Sequence, residues 1–218
     1  MTTLQEKEFI KFLKLLNDND LLEHLVIVGS WAEFVYEKVG VLPEGYAADL
    51  ATLDVDLLIR NLRKPAPPRN IISFIKDAGY AISTDRLTGA HKIFGENVEI
   101  EFLVPQKGRG EKSVLHTNLG VTAQALRYME IIIGNLESHK WLEFTINVPS
   151  LESFVVHKMI INQERGIKKE KDRIAILNLL SFMDKTKYKV IVESLPQKWR
   201  KQIIRFIKEN NLEETLML

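Results

Sequence analysis

The chain has 218 residues, of which 45% are hydrophobic and 27% charged, with a formal net charge of +1; this is an ordinary globular composition, sufficient to bury a core. It contains no cysteine, which excludes disulfides, thiolate zinc sites and cysteine nucleophiles. Met1 to Lys14 alternates charged and apolar residues without the apolar stretch of a leader, and no run approaches the about 20 apolar residues that span a bilayer, so the expectation is a soluble, cytoplasmic protein with no membrane partner.

In chain order, the apolar positions Phe9, Ile10, Phe12, Leu13, Leu15 and Leu16 predict an amphipathic helix over Leu4 to Leu16. The β-branched run His24 to Val28 predicts a strand that ends in Gly29-Ser30, with a helix over Trp31 to Val39. Gly40 to Thr52, with Pro43 and Gly45, reads as an irregular connection. Leu53 to Ile59 is a strand flanked by so many apolar residues that it is expected to be central. After a rigid Pro-rich loop at Lys64 to Arg69, Asn70 is expected to cap a helix that stops at Gly79. Tyr80 to Ser83, His91 to Phe94 and Val98 to Val104 read as strands separated by glycine turns. Lys107 to Lys112 reads as a flexible basic loop, followed by expected strands at Leu126 to Ile133 and Trp141 to Val148. After Pro149-Ser150 the pattern turns helical: Leu151 to Asn162, Lys169 to Met183, Tyr188 to Leu195 and Pro196 to Asn210. The expected architecture is therefore α+β, with an α+β domain over 1–148 and a helical domain over 149–218.

Charge divides in the same place. Residues 1–150 hold 16 Lys+Arg against 20 Asp+Glu, and residues 151–218 hold 14 against 9. A basic part beside an acidic one suits a polyanionic substrate that meets cation-binding carboxylates, and equally suits a lysine-rich solvated surface.

The chemistry concentrates in the acids. On the strand containing Asp54-Val55-Asp56 the two aspartates share a face, about 7 Å apart at Cα. Two acceptor-only charges beside a core demand compensation by a cation or a basic group, and Mg²⁺ prefers one or two carboxylates together with substrate phosphates. The strand Val98 to Val104 places Glu99 and Glu101 on one face and Val98, Ile100 and Phe102 on the other. A third carboxylate on a neighbouring strand completes a two-metal phosphoryl-transfer set. Glu101, nearer the strand end, is the candidate for that role, and Glu99 reads as part of an exposed edge-strand face. Gly29 at a strand end permits close backbone approach to a ligand, and the helix that follows offers N–H groups to phosphate. Ser30 either donates to a phosphate oxygen or caps that helix.

Together these residues resemble the DNA polymerase β-like nucleotidyltransferase superfamily, in which an apolar strand, Gly-Ser, a helix, D-x-D and a later acid follow in order. Val28-Gly29-Ser30, Asp54-Val55-Asp56 and Glu101 match that order. The interval from Ser30 to Asp54 is longer than in small members, and the third acid is Glu where Asp is more usual. Phe154-Val-Val-His-Lys158, Arg165 and Lys169-Glu-Lys-Asp-Arg173 resemble the AbiEii-type branch, and more closely a bacterial branch with a His-Lys pair followed by Lys-Asp. The resemblance implies two Mg²⁺ or Mn²⁺ ions on Asp54, Asp56 and Glu101, and a nucleoside triphosphate held at Gly29 and Ser30. It implies transfer of a nucleoside monophosphate to an acceptor hydroxyl, with RNA, protein or a small molecule as the acceptor.

The first helix after Pro149 is apolar nearly all round, so the ammonium of Lys158 needs a partner: a bound triphosphate, whose charge it would stabilise, or Asp172 in a structural pair. His157 reads as a core histidine. The competing expectation is a non-catalytic nucleotide- or partner-binding protein of the same fold, such as a component of a toxin–antitoxin or defence pair. Nucleic-acid binding by the basic loop and C-terminal helices is a weaker third reading, because the charge excess of residues 151–218 is small.

Overall fold

The computed structural model describes residues 3–46, 52–108 and 113–216. It divides into two compact units, one of Met1–Met129 with Leu136–Val148, the other of Glu130–Asn135 with Pro149–Leu218. The architecture is α+β, as the patterning predicts.

In the first unit α1 (Leu4–Asn17) begins with a reciprocal cap: the Thr3 side chain accepts from the Glu6 N–H while the Glu6 carboxylate accepts from the Thr3 N–H. Its apolar stripe Phe9, Phe12, Leu13 and Leu16 is fully buried. β1 (Leu25–Val28) leads into α2 (Ser30–Lys38), and Phe9, Trp31, Phe34 and Trp141 pack as an aromatic cluster with ring centroids 4.2–6.3 Å apart. That cluster anchors α2 through Trp31, the residue after Ser30.

The main sheet has seven strands. β2 (Asp54–Ile59) lies between β1, antiparallel, and β5 (Glu99–Pro105), parallel. α3 (Ile71–Asp77) connects β2 to the hairpin β3 (Ala81–Thr84) and β4 (His91–Phe94), and Asn70 caps α3 as expected, its Oδ1 accepting from the Ile72 N–H. Along its other edge β5 meets β4 over Glu99 to Glu101, and β7 (Thr122–Leu126) over Leu103 to Pro105. β6 (Val114–His116) is the outer partner of β7. β5 is thus an interior strand, and the expected edge position for Glu99 is corrected. Val55, Leu57, Ile100, Phe102 and Ile93 point to the buried side of this sheet.

Beyond Leu126 the expected strand to Ile133 is not formed. Tyr128 adopts a positive φ of 67°, and the chain turns into α4 (Met129–Ile133). A two-stranded sheet follows, β8 (Leu136–Trp141) and β9 (Phe144–Pro149), of which only β9 was foreseen. Buried Asn147 in β9 donates from Nδ2 to the carbonyls of Leu25 and Glu23 at the outer edge of β1, while its Oδ1 accepts from the Ser138 hydroxyl.

The second unit centres on α5 (Leu151–Ile161), every residue of which except Ile161 is buried. Around it stand α6 (Lys169–Leu179), α7 (Lys185–Ser194) and α8 (Gln197–Glu209). Ser150 caps α5 by accepting from the Ser153 N–H, and Asp184 caps α7. No described helix is long and apolar enough to cross a membrane.

Candidate functional site

The acids and the Gly-Ser turn meet through sheet register. In the antiparallel β1–β2 pair Val28 stands opposite Asp56, so the next residue, Gly29, passes directly over the Asp56 side chain. A Cβ added to Gly29 would lie 2.5 Å from Asp56 Oδ2, and Gly29 has a φ of +66° and ψ of −152° that suit only glycine. Steric room and backbone conformation therefore select glycine independently.

Gly29 occupies the cap position of α2, has no side chain to offer, and the helix forms no side-chain cap. Ser30 is the first helical residue, which removes the capping alternative for its hydroxyl. What remains is a helix start whose N–H groups are not answered by a capping side chain.

In the parallel β2–β5 pair Asp54 stands opposite Glu99 and Asp56 opposite Glu101. All four carboxylates consequently project from one face of the sheet. Asp54 is exposed, whereas Asp56, Glu99 and Glu101 are half-buried. The other face, with Val55 and Ile100, carries the core.

A residue overlooked in the acid pattern completes the group. Antiparallel pairing of β4 with β5 sets Lys92 opposite Glu101 and Phe94 opposite Glu99. Lys92 Nζ lies 2.8 Å from Glu101 Oε1 and 2.8 Å from Glu99 Oε2, and 5.9 Å from the centroid of the Phe94 ring. The hydrogen bond to Glu101, then that to Glu99, hold the Lys92 ammonium well above the ordinary lysine range. The alternation Lys92-Ile93 against Glu99-Ile100-Glu101 across the Gly95 turn was the available signal, since Ile93 and Ile100 on the core side send Lys92 and both glutamates to the other. Among the described residues no three acid or imidazole groups converge closely enough to hold a metal ion.

Lys158 and Asp172 belong to the second unit, where they are brought together. Lys158 Nζ is 3.1 Å from Asp172 Oδ1, and Arg165 Nε is 2.8 Å from Asp172 Oδ2. Both Lys158 and Asp172 are buried, at 9% and 3% exposure. Burial pushes the Asp172 carboxyl upward, but the charge of Lys158 and the hydrogen bond and charge of Arg165 outweigh it and leave the group below its usual value. His157 is buried as expected. In the basic loop, residues 109–112 lie outside the described residues, as do 47–51 of the irregular connection.

A mixed sheet in which a Gly-Ser strand-to-helix turn closes over the second aspartate of a D-x-D, with a further acid in register on the adjoining strand, keeps the order of motifs on which the sequence resemblance rests. A family model described as nucleotidyltransferase matches residues 7–199, and the chain belongs to that family. Among solved structures it is similar to an antigenic nucleotidyltransferase-like protein from Paracoccidioides brasiliensis, with a TM-score of 0.53 and 14% identity over 88% of this chain and 83% of that one. The antibiotic-resistance factor ANT(2'')-Ia is matched with a TM-score of 0.47 and 13% identity, over 98% of this chain and 97% of that one. No curated protein matches in sequence.

Proposed function

We propose that this nucleotidyltransferase moves a nucleoside monophosphate from an NTP to an acceptor hydroxyl, with release of pyrophosphate, in a reaction that depends on a divalent metal. The observation that carries the reading is the closure of the Gly29-Ser30 turn over Asp56. It sets the start of α2 beside the carboxylate pair.

Asp54 and Asp56 fit a divalent cation shared with substrate phosphates. They are adjacent on one face, Asp54 is open to solvent, and two carboxylates match what Mg²⁺ or Mn²⁺ takes from protein when phosphates supply the rest. Such an ion would neutralise charge on the transferred phosphoryl group. The N–H groups at the start of α2 and the Ser30 hydroxyl donate to phosphate oxygens and orient the chain of phosphates. Glu101 engages Lys92 through Oε1; in this reading its Oε2 accepts the hydrogen of the attacking hydroxyl and lines that hydroxyl up with phosphorus. Lys158 and Asp172 are assigned no step.

Calorimetric titration of MgATP into the wild type and into Asp54→Ala/Asp56→Ala tests the reading. Binding is expected in the wild type and a loss of at least tenfold in affinity, about 1.4 kcal/mol, in the double variant. Equal binding in the two proteins, or none in the wild type with any NTP, overturns it.

A further inference from the structure

The family pattern asks Asp54, Asp56 and Glu101 to share two ions, yet the third acid already holds a cation of its own. Lys92 Nζ stands between Glu101 Oε1 and Glu99 Oε2 at 2.8 Å from each. The lysine is not a loose surface side chain. Its position is fixed by the Lys92↔Glu101 register in an interior strand, by two charge-assisted hydrogen bonds and by the Phe94 ring beneath it, and its side chain is only 25% exposed. Nor are the glutamates spare. Without the ammonium, Glu99 and Glu101 would face Asp54 and Asp56 across strands about 4.8 Å apart, four like charges on one patch of sheet.

We infer that Lys92 takes the place of a second metal ion, so that the site is built for a single divalent ion on Asp54 and Asp56, with Glu101 held as a lysine-bound carboxylate. This rests on the metal-dependent reading above and deepens it. Lys92 is a positioning residue: it acts through Glu101 by fixing where that carboxylate stands. An ammonium keeps its proton and its distance to Glu101 without being loaded from solution, so the acceptor side of the site is in place before any metal arrives. The metal's task is then confined to the triphosphate side. Dependence on metal concentration should accordingly be first order and not second.

The experiment counts ions independently of turnover. The full chain is dialysed to equilibrium against Mn²⁺ and a nonhydrolysable ATP analogue, and the excess of each on the protein side gives ions per bound nucleotide. One Mn²⁺ per nucleotide is expected for the wild type. Lys92→Gln frees Glu101 and is expected to raise the ratio to two, Lys92→Arg restores it to one, and Lys92→Gln/Glu101→Gln returns it to one. Two ions in the wild type, or a ratio that stays at one in Lys92→Gln, overturns the inference and leaves the nucleotidyl-transfer reading standing. Absence of bound nucleotide in the wild type removes that reading, and the inference with it.

Discussion

The two units each build one compact charge cluster, and the clusters are inverted copies in composition. In the first, a single ammonium, Lys92, stands between two carboxylates, Glu99 and Glu101. In the second, a single carboxylate, Asp172, stands between two cations, Lys158 and Arg165. Their settings differ as much as their signs. Lys92, Glu99 and Glu101 are half-buried on a sheet face that also carries Asp54 and Asp56, whereas Lys158 and Asp172 are buried within a helical unit. A half-buried cluster stays within reach of solvent and so suits a site that must receive and release a ligand. A buried ion pair does not, because removing either partner strands a charge in a low-dielectric interior.

That contrast is broken most severely at Asp172. Asp172→Ala removes the buried carboxylate that Lys158 and Arg165 share, and a destabilisation of about 3–5 kcal/mol is expected in chemical denaturation. Since Arg165 is 40% exposed and relaxes into solvent, the lower end of that range applies. The same cluster gives the chain an acid limit. The Asp172 carboxyl is held below its unfolded value of about 3.9, so its contribution to stability is complete above about pH 4 and is lost as pH falls through the lower folded value. In Asp172→Asn that portion of the acid-induced loss should be missing from a plot of stability against pH; an unchanged slope would show that the pair does not hold the unit.

Gly29→Ala comes next. It forces alanine into a glycine-only conformation, which costs about 1–3 kcal/mol, and drives its methyl against Asp56. NTP affinity should fall more than the melting temperature does, and a pure stability loss with affinity intact would separate the turn from the site. Lys92→Gln is milder for the fold, about 1 kcal/mol by denaturation, because its carboxylates regain water. Smallest is Arg173→Ala, which deletes an exposed pair with Glu170 one helical turn away; no measurable change in melting temperature is expected.

Much of this organisation was readable in the sequence wherever local pattern and long-range packing agree. The strand His91–Phe94 and the Asn70 cap follow from alternation and turn chemistry, and α5 from an apolar run too long for a strand. The acids of D-x-D announce themselves because their spacing alone puts them on one face. Reading failed where a short apolar run is ambiguous. Leu126 to Ile133 suits strand or helix equally, and a left-handed backbone at Tyr128 decides for a break. β8, with Glu137, Ser138, His139 and Lys140, carries too few apolar positions to register as a strand; its structure is borrowed from pairing with β9. Lys92 was missed for a different reason. Its role emerges only when the two strands on either side of the Gly95 turn are read as one antiparallel pair, which sets Lys92 opposite Glu101.

Asn147 carries a consequence of a mechanical kind. An edge strand is the part of a sheet most prone to slip, and a slip of two residues along β1 would keep every side chain on its proper face while carrying Gly29 about 7 Å along the strand and away from Asp56. Sheet pairing on one side alone resists this weakly, because the slipped ladder makes nearly as many bonds. The Asn147 amide, bonded to the carbonyls of Leu25 and Glu23 on the opposite edge, penalises the slip from outside the ladder. Alignment of the turn with its carboxylate is thus set by a vernier, read on one edge of the strand and locked on the other by the Asn147 side chain.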